Sequence, residues 1–305
     1  MRKYLAFLLL AGAPLIWAAA LVGALHGREP FASWLYLFGW WPYILMLEGL
    51  LFLWQGEFRL LSRPYEFLRL SCWSVTFWLV FEAFNLVLRN WRYAGMLPQW
   101  WLRWPGYALA FATVLPGILL TARVLAAWGA WKGAGGRPRN WTNWQPWFLL
   151  LGAACIILPL TLPRYAFPLV WLVFIFLLDP ICDLLAGNSL TRRWLKGERQ
   201  EIFCILAAGL ICGLWWEMWN YPAAAKWVYA LPVLNFGRIF EMPCLGYLGF
   251  LPFALEVAVM YNFYLALEDR VLTTPKRRRW FWLAQLAFWL IMFAAMDAWT
   301  VISFK

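Results

Sequence analysis

Residues 67–89 read FLRLSCWSVTFWLVFEAFNLVLR. Between Arg69 and Arg89 lie 19 residues with one charged side chain, Glu82. A helix rises about 1.5 Å per residue, so ~20 apolar residues match the ~30 Å hydrocarbon core of a bilayer. The stretch is too long and too continuous for the alternating strand of a barrel. It predicts a membrane-spanning helix that carries an acid and, three residues on, Asn85.

The same pattern fills the rest of the 305-residue chain. Apolar runs fall at about 4–25, 33–55, 67–89, 105–130, 147–163, 166–187, 201–219, 243–266 and 280–303. Hydrophobic residues make up 64% of the chain and charged ones 13%, against roughly a quarter charged in soluble domains. Backbone polar groups in lipid must bond internally, which makes these runs helices. The expected fold is all-α: a polytopic transmembrane bundle of about nine spans. Arg2 and Lys3 stand before the first run as in a signal peptide, but the run exceeds a typical signal core and reads as the first span.

The net charge of +11 is a topology signal rather than a nucleic-acid footprint. Of the 26 basic residues, 18 fall at the N-terminus and in the even-numbered loops, including Lys276-Arg277-Arg278-Arg279. That face is expected to be cytoplasmic, with the C-terminus periplasmic, in a bacterial inner membrane. The basic run would also touch anionic lipid. The six cysteines form no C-x-x-C pair and read as small buried hydrophobes. With a single histidine, His26, no metal centre and no cofactor are expected.

A shift of about 135 positions superimposes the rare polar residues. Glu48 meets Asp183, Glu66 meets Glu201, Glu82 meets Glu217 and Asn85 meets Asn220. One residue later in offset, Trp91 meets Trp227, Tyr93 meets Tyr229, Ala94 meets Ala230 and Pro116 meets Pro252. The repeat reads E-x-[FW]-N, a short gap, then W-x-Y-A. Four spans per unit is an even number, so the two copies would insert the same way round, about an axis along the membrane normal. The expected organisation is a first four-helix repeat at 1–131, a flexible basic linker at 132–146, a second repeat at 147–268, and a basic loop with a ninth helix at 269–305.

Carboxyls inside spans cost roughly 2.5–3.5 kcal/mol on insertion scales, which makes Glu82, Asp179, Glu217, Glu256 and Asp297 candidates for function. Glu82 with Asn85, and Glu217 with Asn220, share a helix face at i and i+3. Glu241 opens the eighth span. The bland alternative is that acid and amide are packing joints between helices. The 26 tryptophans mostly mark interfacial belts. Trp78, Trp216 and Trp219 stand close to the two acids, however, and Trp91, Tyr93, Trp227 and Tyr229 come soon after them. Acids ringed by aromatic faces suit acid chemistry on an alkene, or a greasy pocket for a lipophilic molecule.

The run Trp227-Val-Tyr229, then Gly237, then Pro252-Phe-Ala-Leu-Glu256 resembles, over about 30 residues, the small, membrane-embedded, duplicated lycopene cyclase domain family. More broadly the chain resembles bacterial multi-pass membrane proteins. The family resemblance implies acid-initiated cyclisation of an isoprenoid within the bundle.

Three readings of function stand at this point. One is a lipid- or isoprenoid-modifying enzyme with Glu82, Glu217, Glu241 or Glu256 as acids, Asn85 and Asn220 orienting them, and Trp78, Trp91, Tyr93, Trp216, Trp219, Trp227 and Tyr229 lining the pocket. The second is a proton-coupled transporter. The third is a non-catalytic subunit of a larger complex. Membrane lipids, and a lipophilic small molecule in the first two, are the expected partners; nucleic acid is not, and no protein partner is identified.

Overall fold

The computed structural model describes residues 2–305. Helices α1 (Arg2–Leu25), α2 (Phe31–Gln55) and α3 (Pro64–Leu88) lead to strand β1 (Trp91–Ala94). Helices α4 (Trp100–Phe111), α5 (Val114–Trp128), α6 (Gln145–Thr161) and α7 (Pro163–Ala166) come next, and a 3-10 turn, Phe167–Leu172, joins α7 to α8 (Val173–Ala186). After α9 (Leu190–Lys196) and α10 (Gln200–Asn220) come strands β2 (Lys226–Tyr229), β3 (Arg238–Ile239) and β4 (Met242–Pro243). A second 3-10 turn, Cys244–Gly249, opens α11 (Phe250–Arg270), and α12 (Pro275–Trp299) is last.

Among the described residues, eight helical segments are long and apolar enough to cross a membrane, counting α4 with α5, α7 with α8, and α11 with its leading turn. By helix length and hydropathy this is a polytopic membrane protein. The fifth expected span differs. It is the 17-residue α6, about 25 Å long and short of the ~30 Å core. Pro163 ends it, because the residue before a proline is pushed out of the helical region; Leu162 sits at φ −127°, ψ 56°.

The core lies where α5 meets α2, α3 and α10, with Trp40, Phe77, Phe81, Leu115 and Ile118 fully buried. Without a hydrophobic drive between helices in lipid, close approach supplies the packing. Gly209 of α10 is one such place: a Cβ there would lie 2.3 Å from the Phe250 carbonyl oxygen. Helix α1 packs on α2 and is otherwise largely exposed.

The fourth span is broken at Ala112–Thr113, three residues before Pro116, which has no N–H to continue the ladder. Ser74 of α3 mends the break. Its hydroxyl donates to the Phe111 carbonyl (2.6 Å) and accepts from the Leu115 N–H (3.0 Å). Ser74→Ala leaves both backbone groups buried without a partner and is expected to cost about 1–3 kcal/mol. Thermal melting of the purified protein in detergent checks this, and an unchanged midpoint would refute it.

Two stretches depart from the sequence expectation. The segment read as a flexible linker is tied down: the N–H groups of Gly136 and Arg139 donate to the carbonyls of Gly197 (3.1 Å) and Leu195 (2.8 Å). No strand was expected, yet β1 and β2 pair antiparallel. Beyond α12, residues 300–305 run parallel to β1. The Tyr93 N–H donates to the Thr300 carbonyl (2.9 Å), and the Ile302 N–H to the Tyr93 carbonyl (2.8 Å). The ninth helix thus stops at Trp299, and the last six residues add a third thread to the ribbon.

Candidate functional site

Helix α3 ends nearly two turns beyond Glu82, where Arg89 takes a left-handed conformation (φ 55°) and swings the chain back over the helix end. Asn85 fixes the return. Its Nδ2 donates to the Trp91 carbonyl (2.9 Å) and its Oδ1 accepts from the Trp91 N–H (3.2 Å). The side-chain amide therefore stands in for a neighbouring strand. Asp or Leu could not do this, since the task needs one donor and one acceptor in a plane. Asn220 makes the same two bonds to Trp227, at 2.9 and 3.0 Å. These amides explain why asparagine precedes each W-x-Y at that spacing.

The returning strand delivers its aromatics to the acid. Glu82 is fully buried, and its Oε1 accepts from Trp78 Nε1 (2.9 Å), Trp91 Nε1 (2.9 Å) and the Tyr93 hydroxyl (2.5 Å). Burial, with the carboxyl beside it, holds the Tyr93 phenol well above its ordinary pKa, so it stays a donor. Glu217 is also fully buried and accepts from the Tyr229 hydroxyl (2.7 Å), which in turn accepts from Trp227 Nε1 (3.1 Å). Four residues before Glu217 stands Gly213 where Trp78 precedes Glu82, and the Phe250 ring fills the space. The second acid therefore has fewer donors. In both acids Oε2 is buried without a partner.

Strands β1 and β2 join the two elements. Trp91 lies opposite Tyr229, and Tyr93 opposite Trp227. Beneath them is a cavity of about 420 Å³, within the roughly 300–1,000 Å³ usual for ligand pockets. Trp78, Trp91, Tyr93, Trp216, Trp227 and Tyr229 are all in its wall. Trp78 and Trp216 meet at 5.0 Å between ring centroids, and Tyr36 meets Trp227 edge-on at 5.1 Å. Contributions from α2, α4, Trp171 and Phe253 complete a surface that is mostly apolar.

Other expected site residues lie apart. Trp219 is outside the wall, stacked on Trp215 (5.6 Å) and edge-on to Trp40 (4.8 Å). Glu256 is fully buried in α11 and accepts from the Phe174 N–H (2.9 Å), in the first turn of α8, where its role is that of a cap. Glu241 pairs with Lys226 (2.6 Å) at the turn between β3 and β4. Neither belongs to the Glu82 or Glu217 cluster, and neither is in the cavity wall. Asp179 caps α9 through the N–H groups of Leu190 (2.7 Å) and Thr191 (2.9 Å). Toward that same end of the bundle, Glu48 accepts from the N–H groups of Leu60 (2.9 Å) and Leu61 (3.0 Å), and Asp183 pairs with Arg192. Glu48, Asp179 and Glu256 thus each accept from backbone N–H, and Asp183 pairs with an arginine.

One cluster was not legible beforehand. Asp297 of α12 receives Arg103 Nε (2.8 Å) and Nη2 (2.5 Å), Trp104 Nε1 (2.7 Å) and the Tyr107 hydroxyl (3.1 Å). Arg103 and Tyr107 also stand in the cavity wall. The signals were a lone arginine in the aromatic run Trp100-Trp101-Leu-Arg103-Trp104 and a lone acid in the last span, with nothing local to pair them. Comparison with known proteins gives no assignment: no family model, no curated protein and no solved structure matches this chain.

Proposed function

We propose that the protein binds a lipophilic molecule, of lipid or isoprenoid kind, in the aromatic cavity beneath the β1–β2 ribbon. The observation that carries this reading is the cavity itself: 420 Å³, apolar, and walled by both W-x-Y elements. We read those elements as the two copies of one duplicated four-helix unit. The ribbon supports it, because tryptophan faces tyrosine on both sides of a local two-fold centred between Arg92 and Val228. The lysine and arginine bias supports a cytoplasmic N-terminus, which would put the cavity at the outward end.

The test is saturable quenching of tryptophan fluorescence by a bromine-bearing isoprenoid hydrocarbon added to the protein in detergent. One saturable site is expected. Ala110→Trp, which places an indole in the cavity, should weaken binding more than tenfold. Quenching that rises linearly with probe, in both proteins alike, would sink the reading.

A second reading is favoured by the two tyrosines. Tyr93 and Tyr229 each put a ring in the wall and a hydroxyl on a buried carboxyl, which gives a hydrogen-bonded path from acid to cavity. Such a path suits protonation of an isoprenoid alkene, as the cyclase resemblance would imply. Under it Glu217→Gln abolishes turnover of a supplied polyene while leaving binding intact. Full turnover in that variant would eliminate it.

A further inference from the structure

The polar groups of the cavity wall are not equally free. Arg103 spends its guanidinium on Asp297 and on the carbonyls of Leu97 and Pro98. Lys226 is held by Glu241 (2.6 Å) and by the Tyr221 carbonyl (3.3 Å). Both cations are thus neutralised by a carboxylate of the chain, and recruiting either for an anionic head group would first mean breaking an ion pair. The hydroxyls of Tyr93, Tyr107 and Tyr229 are committed to Glu82, Asp297 and Glu217.

Asn90 is different. It immediately precedes the first W-x-Y, lines the cavity and is only 2% exposed. Its backbone carbonyl accepts from the Ala230 N–H (2.8 Å), so the residue is anchored in the ribbon. Its side-chain Oδ1 is buried with no hydrogen-bond partner, and among the described residues it is the wall's buried polar atom left in that state. An unpaired buried amide is costly, and a half-turn of the group lets it either accept or donate.

We infer that the ligand is a neutral amphiphile, a hydroxyl group on a long apolar body, and that Asn90 binds the hydroxyl. This rests on the binding reading above and adds the chemistry of the head group. A hydroxyl both gives and takes a hydrogen bond, so it satisfies the amide in either orientation. A phosphate or carboxylate would enter an apolar cavity whose two cations already have counter-ions, and it would carry its desolvation cost uncompensated.

The experiment is displacement of the brominated hydrocarbon from the full-length protein by farnesol, farnesene and farnesyl monophosphate. These share a skeleton and differ at the head. Farnesol is expected to bind about tenfold more tightly than farnesene, the worth of one satisfied buried hydrogen bond. The monophosphate is expected to bind no better than farnesene. In Asn90→Leu, farnesol should fall to the farnesene value while farnesene is unchanged. Equal affinity for farnesol and farnesene, or a monophosphate that outcompetes farnesol, overturns the inference and leaves the cavity reading standing. Absence of saturable quenching by the brominated probe overturns both. The comparison in the unaltered protein decides the head-group chemistry, and Asn90→Leu, or Asn90→Ala if that variant does not fold, decides whether Asn90 rather than the Tyr36 hydroxyl, also in the wall, binds it.

Discussion

Asp297→Ala is expected to destabilise the protein by up to about 3–5 kcal/mol, the cost of removing one partner from a buried ion pair, since Arg103 is buried and Asp297 nearly so. The arginine left behind has nowhere to go. The Arg103 side chain is 6% exposed, its Cζ lies 4.7 Å over the Phe304 ring, and the other half of its guanidinium is fixed on backbone carbonyls. The Trp104 N–H and the Tyr107 hydroxyl lose the same acceptor. The loss should be far smaller when the cation is removed as well, as in Arg103→Met with Asp297→Leu, because well-packed apolar groups often replace a buried pair at little net cost. Unfolding of the purified protein by denaturing detergent measures both. A single variant as stable as the unaltered protein would show that the pair is dispensable.

Glu82→Leu is expected to have an effect at least as large and to abolish probe binding. Three donors, Trp78 Nε1, Trp91 Nε1 and the Tyr93 hydroxyl, converge on one carboxyl oxygen. Each donor left unpaired in the bundle costs roughly 1–3 kcal/mol. All three rings stand in the cavity wall, so their release also disorders the site. Glu82→Gln keeps a carbonyl oxygen in place and should preserve both the fold and saturable quenching. Glu217→Leu should cost less than Glu82→Leu, because Tyr229 alone donates to that carboxyl directly. Unfolding curves and quenching titrations on the three variants separate a latch, for which Gln suffices, from a group needed for its charge or its proton.

The spans were readable from sequence because length and hydropathy are local properties. Pro116 and Pro163 also act locally, and they mark where helices break. Glu82 with Asn85, and Glu217 with Asn220, were readable as pairs because i and i+3 share a face. Their task was not. The partner of Asn85 is the backbone of Trp91, reached through a left-handed turn at Arg89 that the side chains do not advertise. Strands of four residues such as Trp91–Ala94 carry too little periodicity to declare themselves. The Arg103–Asp297 pair and the return of residues 300–305 to β1 join parts of the chain roughly 200 residues apart. Glu241, Glu256 and Trp219 have the composition of site residues, but their helix faces and turns direct them elsewhere. A count of acids and rings cannot distinguish a carboxyl that caps a helix from one that holds a pocket wall.

The ribbon also bears on how the protein comes into being. Its threads are β1, β2 and the stretch after α12, and a ribosome makes them in that order with most of the protein in between. Helices can enter the bilayer one at a time, each satisfied by its own ladder. The lid over the cavity cannot form piecemeal, since Trp91 and Tyr93 have no strand to pair with until β2 emerges. The chamber itself forms late, because its wall is complete only once Phe250 and Phe253 of α11 are made, shortly before the thread after α12 joins β1.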